Sequence, residues 1–190
     1  TNSNIANSQG EILELVCTRS FYQEYGHELI LESLNILKTN FKINFKCNFI
    51  GDGPLLDELK SKCIGYGLIN EIIFSGKVEN RKLPSILSKS HIYISLPSTE
   101  GLSASLLESM ASGCFPIVSD LPGNRALIDS GKNGFLVERK DCKKIAKIIN
   151  SVWANSKLRN SSANHNIELI KNNFNIEENI KVFIDRYSDL

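Results

Sequence analysis

The chain has 190 residues, enough for one domain with a substantial core, because a domain of this size buries roughly 70% of its unfolded surface. Hydrophobic residues make up 42% of the sequence and charged residues 23%, the proportions of an ordinary globular protein. A formal net charge of +1, with basic and acidic residues interspersed, argues against nucleic acid or an anionic membrane as the main partner. No apolar run approaches the ~20 residues that a membrane span needs.

The first ten residues, TNSNIANSQG, are polar and rich in Asn and Ser, which is typical of a linker. We expect residues 1–10 to be a linker and residues 11–190 to form the domain, including its C-terminal helices. The sequence starts at Thr1. A fragment of a longer protein would explain both the missing initiator Met and the linker, whereas processing of an initiator Met would explain only the first.

Six short apolar runs are typical of buried strands. They cover residues 12–18, 43–50, 71–76, 91–96, 115–119 and 134–138. Helical patterns follow at residues 27–37, from Pro54 onward, at 83–88, 103–112 and 142–153, around 165–171, and at 176–187. Strands that alternate with helices through short loops indicate βα units. The expected fold is an α/β, Rossmann-like parallel sheet of about six strands with helices on both faces.

The cysteines bear on the cellular compartment and on metal binding. There are five of them, an odd number without a CxxC pair, which favours reduced, buried thiols over disulfides or a metal site. The three histidines are scattered and lack the spacing of metal ligands. The sequence therefore predicts no metal site, and a location in the cytoplasm.

The segment LPSTEGLSASLLESMASG follows the fourth predicted strand, at the carboxyl edge where sheets of this kind bind ligands. Its helix is expected to end at Gly113 and to carry an apolar face made of Leu106, Leu107, Met110 and Ala111. Small residues occupy the preceding loop and the first turn. They leave backbone N–H groups exposed at the helix N-terminus, which is a ready site for an anion.

Two glutamates flank this helix start. Glu100 lies in the loop before the helix, and Glu108 lies one to two turns inside it. A carboxylate accepts two hydrogen bonds at once, so each can hold a vicinal diol of a sugar. An anion site between two such groups fits a nucleoside diphosphate sugar. The spacing alone leaves another interpretation open, in which Ser103 caps the helix and both glutamates are solvated.

Several motifs in order favour the first interpretation. The stretch EGLSASLLESMASGCFPIVSDLPGNRALIDSGKNGFLV resembles the E-x7-E segment and downstream NGxLV of the family 4 (group 1) retaining glycosyltransferases. GDGPLLDELK is similar to that family's GDGP stretch, and IIFSGKV to its VxFxGxV. The order and separations agree from about Leu15 to Val137. The resemblance implies the C-terminal, donor-binding domain of the GT-B fold, in which two Rossmann-like domains enclose the active site.

The resemblance also implies a role for each matching position. Glu100 would belong to the catalytic site and hydrogen-bond hydroxyls of the transferred sugar as a positioning group, not as a nucleophile. Glu108 would bind the ribose hydroxyls, and Arg19 would pair with the diphosphate. The remaining donor-binding positions are Gly101, Leu102, Ser103 and Ala104 near the sugar and diphosphate, and Gly51, Lys77 and Val78 around the base.

Two positions depart from the family pattern. Many members carry a lysine a few residues after the Arg19 position, where this chain offers Tyr25 or Glu24. Ser103 replaces the second glycine of the EGxG pattern, so its hydroxyl either binds the donor or caps the helix. Arg19 has an alternative interpretation as a surface arginine in a loop, and Asp52 is typical of a turn or helix cap.

The expected activity is retaining transfer of a hexose from a nucleotide diphosphate sugar to an acceptor hydroxyl, in surface polysaccharide or glycan synthesis and without a metal or other cofactor. The expected partners are the nucleotide sugar, an acceptor glycan or lipid-linked glycan, and a missing N-terminal acceptor-binding domain. Without that domain we expect the chain to be inactive, and with it the enzyme would work in the cytoplasm or at the inner membrane face.

Two other classes of protein remain open. One is a non-catalytic Rossmann-like module that binds a nucleotide or a phosphorylated ligand, which would need the helix N-terminus but no paired glutamates. The other is half of a sugar-nucleotide epimerase, against which the GDGP and E-x7-E stretches argue.

Overall fold

A computed structural model of the protein describes residues 11–174. Its strands are β1 (Leu13–Cys17), β2 (Phe45–Ile50), β3 (Ile72–Gly76), β4 (Ile92–Ser95), β5 (Phe115–Ser119) and β6 (Phe135–Val137). All pair in parallel, in the order β3-β2-β1-β4-β5-β6. This confirms the predicted Rossmann-like sheet. The direction of strand addition reverses between β1 and β4, so their carboxyl ends mark the position where such sheets bind ligands.

Helices cover both faces of the sheet, as predicted. Within residues 11–174 they are α1 (His27–Phe41), α2 (Leu56–Gly65), α3 (Leu83–Leu87), α4 (Ala104–Ala111), α5 (Pro122–Arg125), α6 (Cys142–Ala154) and α7 (Ser156–Asn173). α1, α2 and α6 pack in one apolar cluster, and α3, α4 and α7 in the other. None of these helices has the length and apolar character needed to cross a membrane.

The apolar runs of the sequence reflect burial on two faces. Every residue of β4 and β5 is buried, because helices lie above and below these strands. In β1 the side chains of Leu13, Leu15 and Cys17 enter the cluster around α1, while Val16 enters the cluster around α4. The five cysteines are free and buried, which confirms the expected reduced thiols.

Some helix boundaries differ from the prediction. α2 begins at Leu56 and not at Pro54, which lies in a turn closed by the hydrogen bond from the Leu56 N–H to the Gly53 carbonyl (3.2 Å). α5 was not predicted, because four residues are too few to show a periodicity. The predicted linker at 1–10 and helix at 176–187 lie outside the described residues.

The apolar face predicted for α4 is wrong at one position. Ala111 is exposed, whereas Leu106, Ser109 and Met110 are buried. Ser109 tolerates burial because its hydroxyl donates a hydrogen bond to the Leu106 carbonyl (2.8 Å). The helix ends as predicted, with the backbone of Gly113 in the left-handed region at φ +83°.

α7 is much longer than the predicted segment 165–171, because polar contacts hold it. Asn155 caps it by accepting from the Leu158 N–H (2.9 Å). Farther along, the buried Ser162 and Asn166 both donate to the carbonyl of Asn133, at 2.9 and 2.8 Å. The Asn133 side chain in turn donates to Asn166 Oδ1 (3.0 Å). Hydrophobic periodicity does not reveal a helix that docks through buried amides.

We expect Asn166→Ala to lower the free energy of unfolding by about 2 kcal/mol, because it strips partners from buried polar atoms of Asn133. Urea unfolding would measure the change. Asn160→Ala is the matched control: Asn160 lies on the same helix but is exposed, so that substitution should be neutral or slightly stabilising. Equal effects of the two substitutions would mean that the amide network does not hold α7.

Candidate functional site

Two loops meet above the adjacent carboxyl ends of β1 and β4. The loop after β1 carries Arg19, and the loop after β4 carries Glu100 and leads into α4. The Ser98 N–H donates to the Glu24 carbonyl at 2.7 Å and ties the loops together. Arg19 and Glu100 lie 81 residues apart in sequence, and the fold brings them into contact.

Arg19 is held from several sides. Its Nη2 donates to Glu100 Oε1 and to Ser103 Oγ, and its Nε donates to Ser95 Oγ at 3.4 Å. The Tyr25 ring centre lies 5.4 Å from the guanidinium carbon, within range of a cation–π interaction. The surface-loop interpretation of Arg19 is therefore wrong, because its side chain is only 12% exposed and is held by Glu100, Ser103 and Ser95.

The charge of Arg19 persists despite its burial. Desolvation alone lowers the pKa of the guanidinium, but the neighbouring Tyr93 and Glu100 outweigh it, and the pKa of Arg19 is raised overall. The Glu100 side chain is 13% exposed. A cation and an anion thus face each other in a largely desolvated place, where their fields are stronger than in water.

Hydrogen bonds join the N-terminus of α4 to Arg19 and to Thr18, the residue after β1. Ser103 is the N-cap, and its Oγ accepts from the Leu106 N–H (3.2 Å) as well as from Arg19. Ser105 Oγ donates to the Thr18 carbonyl at 3.2 Å. Ser103 therefore caps the helix and at the same time anchors Arg19. The first-turn N–H groups of α4 lie beside a cation, an arrangement suited to an anion.

An open cleft of about 310 Å³ lies at this edge. It is lined by Thr18, Arg19, Ser20, Ile50, Gly51, Lys77, Val78, Asn80, Leu83, Ala104, Ser105 and Glu108. Six of these were predicted as donor-binding residues from the sequence motifs, namely Arg19, Gly51, Lys77, Val78, Ala104 and Glu108. Of the others, Ser105 lies inside the E-x7-E segment, and Thr18, Ser20, Ile50 and Asn80 lie within two residues of a predicted position. Position in or beside a motif was the one signal that could have indicated these five, and Leu83 had none.

Four predicted residues do not line the cleft. Glu100 and Ser103 instead contact Arg19, which does line it. Gly101 and Leu102 are exposed beside them, with Leu102 55% exposed. The roles assigned to these four residues stay predictions.

The glycines of the GDGP stretch are explained by close backbone approach. A Cβ on Gly51 would lie 2.2 Å from the carbonyl oxygen of Arg19, and one on Gly53 would lie 2.6 Å from that of Phe21. The Phe21 N–H donates to the Asp52 carbonyl (3.0 Å), so a backbone hydrogen bond joins the loop after β1 to the loop after β2. The Asp52 side chain accepts from the adjacent Gly53 N–H (2.8 Å) and does not cap α2, whose N-cap is Leu55. This motif positions the arginine loop.

Gly123 is a contributor that the sequence analysis missed. A Cβ at this position in α5 would lie 2.1 Å from the carbonyl oxygen of Gly101. α5 therefore presses directly on the loop that carries Glu100, and only a glycine allows the approach. The LPGN turn was the available signal, but a turn signal does not show which loop it touches.

Tyr25 and Glu24, which stand where many family members have a lysine, make different contacts. The Tyr25 ring packs against Arg19, and the Glu24 backbone carbonyl accepts from the Ser98 N–H and from Arg139 Nη2. Gly26, the next residue, has φ +68° and would place a Cβ 2.3 Å from the Leu96 carbonyl oxygen. The loop after β1 is thus packed against the loop after β4 along its length, and Arg19 is held between them.

The chain is a doubly wound α/β domain with an arginine and a helix N-terminus at the switch point of its sheet, the place where such sheets bind ligands. The model of the family "Glycosyl transferases group 1" matches residues 2–186 of the chain. The chain therefore belongs to the group 1 glycosyltransferases, and its fold is one half of the GT-B fold.

Similar proteins agree with this membership. An uncharacterized glycosyltransferase of Methanocaldococcus jannaschii is 31% identical over 172 residues, which cover 90% of this chain and 44% of the relative. The UDP-Gal:alpha-D-GlcNAc-diphosphoundecaprenol alpha-1,3-galactosyltransferase of Escherichia coli is 29% identical over 143 residues, 74% of this chain and 36% of the relative. The chain thus spans less than half the length of these relatives.

Among solved structures, the C-terminal domain of the group 1 glycosyltransferase LpcC from Francisella tularensis is 25% identical to this chain, with a TM-score of 0.77. The match covers 86% of this chain and 87% of that domain. The chain is therefore similar in extent to that one domain.

Proposed function

We propose that the chain is the donor-binding half of a retaining glycosyltransferase, which moves a hexose from a nucleoside diphosphate sugar to an acceptor hydroxyl. The observation that carries the proposal is the position of Arg19, which lines the cleft beside the N-terminus of α4. A guanidinium and a helix N-terminus together attract a diphosphate. They also stabilise the charge that grows on the diphosphate as it leaves, without a metal ion.

Glu108 is proposed to bind the ribose. Its side chain lines the same cleft as Gly51 and Val78 and is exposed. A nucleoside that lies against the backbone of Lys77 and Val78 would bring its vicinal hydroxyls to this carboxylate, which can accept a hydrogen bond from each.

Glu100 is proposed to position the transferred sugar. One of its oxygens, Oε1, accepts from Arg19, so the carboxylate has a fixed orientation. The other oxygen has no hydrogen bond within residues 11–174, so it can accept from a sugar hydroxyl. A carboxylate that is already paired with a guanidinium is a poor nucleophile, which supports a positioning role over a covalent one.

The proposed partners are a further domain and an acceptor, and the similar proteins support both. Matches that span 44% and 36% of two relatives support an additional N-terminal domain in the intact enzyme, which would bind the acceptor. We propose that the chain alone binds donor and transfers sugar at a negligible rate. A relative that acts on a diphosphoundecaprenol-linked sugar supports a lipid-linked glycan as the acceptor, and a UDP-sugar as the donor.

Isothermal titration of the chain with UDP and with a panel of UDP-, GDP- and TDP-sugars tests the proposal. We expect Glu108→Ala to weaken UDP and the preferred UDP-sugar equally, by roughly tenfold to a hundredfold, because the ribose is common to both. Glu100→Gln should leave UDP binding nearly unchanged and reduce the extra affinity that the sugar provides.

Glu168→Ala serves as the control, because Glu168 is exposed on α7, away from the cleft. Unchanged donor binding in both Glu108→Ala and Glu100→Gln would defeat the proposal. Tight binding of UDP with no contribution from any sugar would favour a nucleotide-binding module without transferase activity.

A further inference from the structure

A diphosphate in the cleft meets little positive charge from the elements around the switch point. Both phosphates of a nucleoside diphosphate sugar are anionic and bind Arg and Lys through charge-assisted hydrogen bonds. Arg19 lines the cleft, but its Nη2 also donates to Glu100, so part of its charge is already balanced. The N-terminus of α4 adds the equivalent of roughly half a positive charge. Residues 20–26 of the loop after β1 contain no lysine or arginine. Another side chain must therefore supply positive charge.

Lys77 is the other basic residue among the described residues that line the cleft. Its side chain is exposed and forms no ion pair with a carboxylate of residues 11–174. The acidic residue nearest to it along the chain is Glu79. Two basic residues of the same loop already pair with that carboxylate, namely Arg81 and Lys82. The charge of Lys77 is therefore left for a ligand.

Glu108 does not neutralise Lys77, although it is the one acidic residue among the described residues that line the cleft. It is exposed and likewise forms no ion pair within the part of the chain that the structure describes. Two opposite charges that line one cleft without contacting each other are both available to a bound molecule. Since Glu108 is proposed to hold the ribose, the ammonium of Lys77 is available to phosphate.

The backbone before Lys77 is held in place. Gly76, the last residue of β3, has φ +64°, in the left-handed region. Its carbonyl accepts from the Gly51 N–H at 2.9 Å, which joins the end of β3 to the loop after β2. Lys77 therefore starts from a fixed point at the edge of the cleft, and mainly its flexible side chain must be ordered when a ligand binds.

The spacing of the strands places Lys77 across the cleft from Arg19. β3 is the edge strand, and β2 separates it from β1. Adjacent strands lie about 4.8 Å apart, so the loops after β1 and β3 begin about 10 Å from each other. The four-carbon stem of a lysine covers roughly half of that distance. Its ammonium can therefore contact a diphosphate that Arg19 contacts from the other side.

We propose that the ammonium of Lys77 binds the diphosphate of the donor and supplies the second side-chain cation beside Arg19. This inference rests on the donor site proposed above, and it gives the residue two contacts. The backbone of Lys77 lies against the base, and Nζ donates to phosphate oxygens. During transfer the same ammonium stabilises the charge that grows on the departing diphosphate.

Lys77→Met tests the inference through a comparison of a nucleoside diphosphate with its nucleoside. The probe is whichever of UDP, GDP and TDP the parent chain binds most tightly in calorimetry. We expect Lys77→Met to weaken that diphosphate roughly tenfold, because a charge-assisted hydrogen bond to phosphate is lost. The nucleoside has no phosphate, so its affinity, measured by displacement of the diphosphate, should change by less than about twofold.

Two further variants separate the contact from a general effect of charge. Lys77→Arg keeps the charge and should bind the diphosphate within about threefold of the parent. Lys60→Met is the matched control, because Lys60 is exposed on α2, outside the cleft, and forms no ion pair within the described residues. It should bind as the parent does. Added salt should weaken diphosphate binding less in Lys77→Met than in the parent, since one charged contact is gone.

Other outcomes overturn the inference in distinguishable ways. Equal losses for the diphosphate and the nucleoside would show that Lys77 contacts the base or the ribose instead. No loss in Lys77→Met, or an equal loss in Lys60→Met, would show that Lys77 makes no specific contact with phosphate. In each case the function proposed for Arg19 would stand. Parent-like binding by Arg19→Ala, or a parent that binds none of the three diphosphates, would overturn that function and the inference with it.

Discussion

Arg19→Ala is expected to weaken the binding of a nucleoside diphosphate by roughly a hundredfold, the largest effect that we predict on binding. The guanidinium lines the cleft and can form charge-assisted hydrogen bonds with phosphate oxygens. Such bonds contribute about 1.5–3 kcal/mol each. Calorimetry with UDP would measure the loss, and uridine, which has no phosphate, should lose little affinity.

The same substitution also affects folding, and the two effects can be separated. Without Arg19, the largely buried carboxylate of Glu100 loses its cation, which should destabilise the fold by about 1–3 kcal/mol. The double variant with Glu100→Ala should recover part of this stability but none of the UDP affinity. Parent-like binding of UDP by Arg19→Ala would contradict the proposed role of the arginine.

Gly51→Ala is expected to have the largest effect on stability, about 3 kcal/mol measured by urea unfolding. The new Cβ would lie 2.2 Å from the Arg19 carbonyl oxygen, and no side-chain rotation can relieve a clash with backbone. The backbone of Gly51, at φ +151°, is also unfavourable for a residue with a side chain. The arginine loop must move, so UDP affinity should fall as well.

Gly65→Ala is the matched control for this substitution. Gly65 is the last residue of α2, and a Cβ there meets no atom within 4 Å. Because alanine favours the helix, we expect Gly65→Ala to be neutral or to stabilise the protein by up to about 1 kcal/mol. If the two substitutions had similar effects, close approach of the loops would not be the function of Gly51.

The sheet could be predicted from the sequence because its strands leave a local signal. Strands buried on both faces, such as β4 and β5, are continuous apolar runs. Helices with an apolar stripe, such as α1 and α6, were located for the same reason. α7 was too short in the prediction because its buried residues are Ser162 and Asn166, which leave no apolar periodicity.

Only part of the candidate site could be predicted from the sequence. Motif order indicated six residues that line the cleft, including Arg19 and Glu108. It did not indicate that α5 presses on the Glu100 loop through Gly123, because that contact joins two loops of unrelated pattern.

The sequence by itself therefore determined the parallel sheet, the helix N-terminus after β4 and the family, because each depends on periodicity or on motifs within a short stretch. The tertiary structure decided how Arg19 is held. Glu100, Ser103 and Ser95 come from a loop and a strand 76 to 84 residues away, and their contacts depend on the pairing of β1 with β4. That pairing arises from the packing of the whole sheet, which no local pattern encodes.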